Sequence, residues 1–131
     1  MSLQKLERVL CIEDEEDIRK VQAIALEDLG GFKVLTVASG AEAIQEAPAF
    51  GPQLILLDVM MPGMDGPTTL KSLRTIAGLE ETPVIFVTAK VQPDEIDYYL
   101  ELGALEVISK PFDPMTLASQ LRQIWELRHV R

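Results

Sequence analysis

The residues in this chain most able to do chemistry are carboxylates placed where apolar runs stop. Leu54-Ile-Leu-Leu-Asp58 ends in a single carboxylate and is followed by the turn-rich Val59-Met-Met-Pro62-Gly-Met-Asp-Gly66. Val9-Leu-Cys-Ile12 ends in Glu13-Asp14-Glu15, Pro83-Val-Ile-Phe-Val87 in Thr88-Ala89-Lys90, and Leu105-Glu-Val-Ile108 in Ser109-Lys110-Pro111-Phe112. A short apolar run bounded by turn residues reads as a strand buried on both faces. In open α/β sheets, ligands bind beyond the carboxyl ends of such strands. If the four runs lie parallel, their ends bring several carboxylates, a hydroxyl and one or two ammonium groups to one edge. A carboxylate such as Asp58 can attack phosphorus to give an acyl phosphate. Clustered hard oxygen donors suit a cation such as Mg²⁺.

Five apolar segments alternate with amphipathic ones, which implies βαβ units and a parallel sheet covered on both faces. The expected strands are Arg8–Ile12, Lys33–Ala38, the run ending at Asp58, Pro83–Val87 and Leu105–Ile108. A first helix is expected over Glu16–Leu29, with Ile18, Val21, Ala25 and Leu29 as its apolar face and Gly30-Gly31 as its stop. Ser39 reads as the N-cap of a short helix, Gly40–Glu46, with Pro48–Gln53 as a loop. Pro67 suits the first turn of a helix to Ile76, and Pro93 that of one to Leu102. Asp113-Pro114 reads as the start of a last helix to Arg128, with Leu117, Leu121 and Ile124 inward.

The 131 residues suffice for one domain with one core, so 1–131 is read as a single unit. Apolar residues make up 47% and charged residues 25%, ordinary for a soluble globular protein. A net charge of −9 argues against nucleic acid as a direct partner, because phosphate binding needs a basic footprint. Cys11 is the sole cysteine, so no intrachain disulfide forms, and its place in an apolar strand makes it a buried thiol. No stretch is long enough to span a bilayer, and no signal-like N-terminus is apparent. A cytoplasmic location without membrane association is therefore expected. Lone His129 reads as a tail residue and Trp125 as partial packing of the last helix. At least one of Tyr98 and Tyr99 should be exposed.

Four separated motifs occur in order: Ile12-Glu13-Asp14-Glu15, Leu57-Asp58 through Gly66, Val87-Thr88-Ala89 and Lys110-Pro111-Phe112. Together they resemble those of a response-regulator receiver domain of two-component signalling, over about Glu7 to Arg128. The resemblance implies a doubly wound (βα)5 flavodoxin-like fold with strand order 2-1-3-4-5. It implies a phosphorylation-switched signalling domain rather than a turnover enzyme, phosphorylated on Asp58 by a histidine kinase or histidine phosphotransfer protein. Asp14, Asp58 and the Met60 backbone carbonyl match direct Mg²⁺ ligands (Mn²⁺ being possible), and Glu13 matches a partner acting through water. Lys110 and Thr88 match the groups that contact the phosphoryl oxygens, and the Lys110–Pro111 bond matches one that is cis. The output protein or domain is not named by the sequence.

Departures are also visible. Val107 stands where the family often has an aromatic switch, so activation is expected to run through Thr88 and the loop after it. Met60 and Lys90 occupy positions that tend to modulate acyl-phosphate lifetime. The acidic fourth helix, with Arg122 and Arg128 on the fifth, suggests a mainly monomeric domain. Two other readings remain. A haloacid-dehalogenase-type phosphatase also uses Asp, Thr, Lys and Mg²⁺, but wants an Asp-x-Asp motif after the first strand. A degenerate receiver would act only as a binding module, against which the intact site residues argue.

Overall fold

The structure, a computed structural model, describes residues 4–128; His129 lies outside them. Strands β1 (Arg8–Ile12), β2 (Lys33–Val37), β3 (Leu54–Asp58), β4 (Val84–Thr88) and β5 (Glu106–Ser109) form one sheet, in the order β2-β1-β3-β4-β5. Every pairing is parallel. Helices α1 (Glu16–Ala23), α2 (Gly40–Phe50), α3 (Gly66–Leu73), α4 (Pro93–Glu101) and α5 (Leu117–Leu127) connect the strands and cover both faces. This is the fold class and strand order expected above.

Strand periodicity sorts the core into two layers. Val9, Cys11, Leu54, Leu56, Ile85 and Val87 pack with Leu117, Leu121 and Trp125. Leu10, Ile12, Ile55, Leu57, Val84 and Phe86 pack with Leu70, Leu73 and Tyr99 on the other face. The central strands β3 and β4 are buried at every position, which explains their unbroken apolar sequences. Cys11 is fully buried, and burial pushes its thiol pKa up, so the thiolate is suppressed.

Element boundaries differ from expectation in several places. The first helix is α-helical only to Ala23 and continues as a π-helical turn over Ile24–Asp28, where the Leu29 N–H bonds the Ile24 carbonyl. The buried stripe runs along Gln22, Ala25 and Leu26, and the wider turn carries Leu29 off it. Val21 and Leu29, expected inward, are 38% and 54% exposed. Helix α2 runs on to Phe50 with Pro48 inside it, and Gly51 closes it in the left-handed region at φ 66°. Helix α3 stops at Leu73 rather than Ile76, because the Thr75 and Ile76 amides turn back on Ser72 and Leu73. The last helix begins at Leu117, not at Pro114. Asp113 forms a tight turn instead, its carboxylate accepting from the Met115 N–H at 2.9 Å.

Trp125 is 5% exposed, and its indole N–H donates to the Gln4 carbonyl at 2.7 Å, so it ties α5 to the segment before β1. Arg122, exposed on α5, stacks over the Phe32 ring at 4.4 Å while it donates to the Gly30 carbonyl.

Candidate functional site

The parallel register sets the ends of β1, β3, β4 and β5 side by side. Asp58 is the register partner of Val87, and Thr88 that of Ser109. Backbone hydrogen bonds carry the sheet one step into the loops: Glu13 N–H to Val37 O at 3.0 Å and Lys110 N–H to Thr88 O at 2.9 Å. Side chains that leave these ends are therefore held by the sheet rather than by loose loops.

The loop after Asp58 folds back tightly. A side chain on Gly66 would come within 2.6 Å of the Asp58 carbonyl and 2.8 Å of the Val59 Cα, so only glycine lets α3 start there. Asp65 caps α3, its carboxylate accepting from the Thr68 N–H at 2.9 Å, and the Thr68 side chain, then that N–H, hold its pKa below the usual carboxylate range. The acidic loop after β1 is fixed by Arg19, which donates to the Glu13 carbonyl at 2.8 Å and the Asp14 carbonyl at 2.9 Å. Sequence reasoning missed Arg19. Its position one turn into a helix that follows three acids was the available signal.

Glu13, Asp58 and Lys110 meet at the sheet edge. Lys110 Nζ lies 2.7 Å from Glu13 Oε1 and 3.2 Å from Asp58 Oδ1. Glu13 is fully buried, Asp58 is 3% exposed and Thr88 1% exposed. One ammonium thus serves two buried carboxylates. Burial, and then the Glu13 charge, push the Asp58 pKa up to about 7 against the pull of Lys110. Burial lowers the Lys110 pKa, but its bond to Glu13 and the Asp58 charge outweigh that and leave it raised. Glu13 Oε2 accepts from the Glu15 N–H at 3.1 Å, whereas Oε1 accepts no hydrogen bond apart from its ion-pair contact with Lys110. The Met60 N–H approaches Asp58 Oδ1 at 3.4 Å, and the Met60 side chain is exposed at the rim. The Lys110–Pro111 peptide bond is cis.

Oxygen atoms of Glu13, Asp14 and Asp58 all lie within 4.8 Å of one another. Three carboxylates at that spacing, one with an under-used buried oxygen and one with a raised pKa, fit a hard divalent cation. The acidic cluster could therefore hold a metal.

Of the residues singled out from sequence, the structure brings Glu13, Asp14, Asp58 and Lys110 together, and sets Thr88 and Met60 on the adjoining strand end and loop. Val107 lies one strand away, half-buried, as the register partner of Phe86. Beside Lys110 an apolar groove of about 390 Å³ opens between α1 and the loop after β5, lined by Ile18, Val21, Ala89, Pro111 and Phe112.

Comparison with known proteins agrees with this geometry. Residues 9–122 match the family model described as the response regulator receiver domain. The chain is 37% identical over 117 residues to response regulator Rre1 of Synechocystis, covering 88% of this chain and 50% of that protein. It is 32% identical over 116 residues to the DNA-binding response regulator MtrA of Mycobacterium tuberculosis, covering 88% and 49%. It spans about half the length of the curated relatives it matches. Among solved structures, the chemotaxis protein CheY4 of Vibrio cholerae superposes with a TM-score of 0.83 at 31% identity, over 91% of this chain and 98% of that one. The chain belongs to the response-regulator receiver domains of two-component signalling.

Proposed function

We propose that Asp58 is the phosphoacceptor and that Asp14, Asp58 and the Met60 carbonyl would hold Mg²⁺, with Glu13 acting through a metal-bound water. The observation that carries this reading is the buried Asp58–Lys110–Glu13 group at the sheet edge, which concentrates uncompensated negative charge beside one ammonium. Asp58 Oδ1 faces Lys110 and the Met60 N–H, which leaves Oδ2 to attack phosphorus. With a phosphohistidine donor, an O–P bond forms, the N–P bond breaks, and the imidazole leaves. Lys110 then pairs with a phosphoryl oxygen, and the Thr88 hydroxyl donates to another. An ion held there would supply charge neutralisation for the equatorial oxygens. Mn²⁺ has the same oxygen preference and would serve in its place.

The donor is a histidine kinase or histidine phosphotransfer protein. The apolar groove of Ile18, Val21 and Phe112 beside Lys110 gives its helices a surface to pack on, with the site exposed at the rim. Acidic character here bears on the receiver alone; the relative MtrA, of which this chain covers 49%, is named as a DNA-binding response regulator.

Incubation with acetyl phosphate and Mg²⁺ tests the reading by intact mass. One phosphate should be gained, and the gain should vanish with EDTA and in Asp58→Asn. Labelling that persists in Asp58→Asn refutes the assignment. Steady turnover of generic phosphate esters would point to a phosphatase instead.

A further inference from the structure

Arg19 is tied at both ends to the acidic loop after β1. Its backbone N–H donates to the Glu15 carbonyl at 3.0 Å, at the start of α1. Its guanidinium Nη1 reaches back to the Glu13 carbonyl at 2.8 Å and to the Asp14 carbonyl at 2.9 Å. That nitrogen carries two protons, one for each carbonyl. Two successive carbonyls that converge on one donor fix the bend of the chain at Asp14. Glu15, the N-cap residue of α1, makes no side-chain cap bond. The loop's other tie, Glu15 N–H to Glu13 Oε2 at 3.1 Å, draws on a carboxylate of the site itself. Among the described residues Arg19 forms no ion pair with a carboxylate, so its charge is spent on the backbone.

We propose that Arg19 is a positioning residue for the cation site. By holding the two carbonyls it keeps the Asp14 carboxylate beside those of Glu13 and Asp58, whose oxygens lie within 4.8 Å of it. The proposal rests on the reading of these three acids as a Mg²⁺ site. A positive charge beside a cation site opposes the ion, so by charge alone the loss of Arg19 would tighten binding. A positioning role has the opposite sign, because losing a group that orients a metal ligand weakens binding. The direction of the change separates the two.

Mg²⁺ titration of the full chain, followed by the amide shifts of residues 13–15 and 58, gives the dissociation constant without a phosphodonor. Arg19→Met keeps an apolar stem and removes the donor, and should raise the constant about 10- to 100-fold. Acetyl-phosphate labelling in that variant should need correspondingly more Mg²⁺ and regain the parent rate at saturation. Arg19→Lys, with a compact ammonium in place of the fork, should fall between the two. Lys20→Ala removes the neighbouring cation, which pairs with Glu16 at 3.2 Å, and should not weaken binding. Parent-like or tighter Mg²⁺ binding in Arg19→Met, or an equal weakening in Lys20→Ala, overturns the proposal and leaves the metal reading intact. Should Arg19→Met not fold, Arg19→Lys decides, weaker binding supporting the proposal and parent-like binding overturning it. A parent chain with no Mg²⁺-dependent shift at these residues overturns both.

Discussion

The two ends of the sheet carry opposite charge and treat it oppositely. At the carboxyl edge, one ammonium is shared by two buried carboxylates, and Glu13 Oε1 has no further partner. At the amino edge, Lys5, Arg8, Lys33 and Arg122 line a polar cleft, and its guanidiniums are spent on helix ends. Arg8 donates to the Phe50 carbonyl at the end of α2 and stacks on the Phe50 ring at 4.4 Å. Arg122 does the same for the Gly30 carbonyl and Phe32. Cations at helix C-termini meet the negative end of the dipole. Gln53 completes that edge by accepting from the Glu7 and Arg8 amides at 2.6 and 2.8 Å. One edge is satisfied internally, and the other is left with uncompensated negative charge, which is where the proposed function sits.

The largest effect should come from Lys110→Ala. Removing the shared ammonium leaves Glu13 and Asp58 facing each other, so phosphate uptake should be lost. The domain should lose on the order of 3 kcal/mol at pH 8.5, the cost of breaking a buried pair. The loss should shrink at pH 5, where Asp58 takes up a proton. Urea melts at the two pH values measure it, and an equal loss at both would break the contrast. Arg122→Ala, at the satisfied edge, should cost about 1–2 kcal/mol by lost stacking and capping. That cost should be the same at both pH values, with acetyl-phosphate labelling untouched.

A smaller effect separates the edges by pH. The Asp58 pKa in the fold, about 7, lies above its usual 3.8, so the native state holds this proton more tightly than the unfolded chain does. The stability this contributes is whole below 3.8 and is lost as pH rises through about 7. Without metal, the melting temperature of the parent should therefore fall between pH 5 and 8 relative to Asp58→Asn. Millimolar Mg²⁺ should recover a few degrees by mass action, and Asp14→Ala should shrink that recovery. Parallel pH curves for parent and Asp58→Asn would remove the raised pKa from the account. The smallest effect expected is on assembly. Light scattering should show a monomer with and without beryllofluoride, and a tight dimer formed only with the mimic would mean that the α4 face has been misread.

The sheet edge was legible in the sequence because its signals are local. An apolar run that stops at a polar residue fixes a strand and its end together, and four such stops placed Glu13, Asp58, Thr88 and, one residue on, Lys110. What stayed hidden depended on packing across elements. The π-helical turn at Ile24–Asp28 rotates the first helix by a fraction of a turn, which no apolar spacing in Ile18, Val21 and Leu29 revealed. The stacking of Arg122 on Phe32 joins residues far apart in the chain, so no local pattern showed it. Tyr99 was ambiguous with Tyr98 until packing against Phe86 showed which ring is buried. Gly66 looked like a turn residue, whereas its role is to let α3 approach the Asp58 backbone.

The account stands on Asp58 as the group that receives phosphorus. Borohydride trapping after acetyl-phosphate treatment reads that atom directly, since reduction of an aspartyl phosphate leaves homoserine. Peptide mass mapping should find homoserine at position 58 and nowhere else, and only when Mg²⁺ is present. A phosphorylated chain in which position 58 stays aspartate, or one reduced at Asp14 instead, would contradict it.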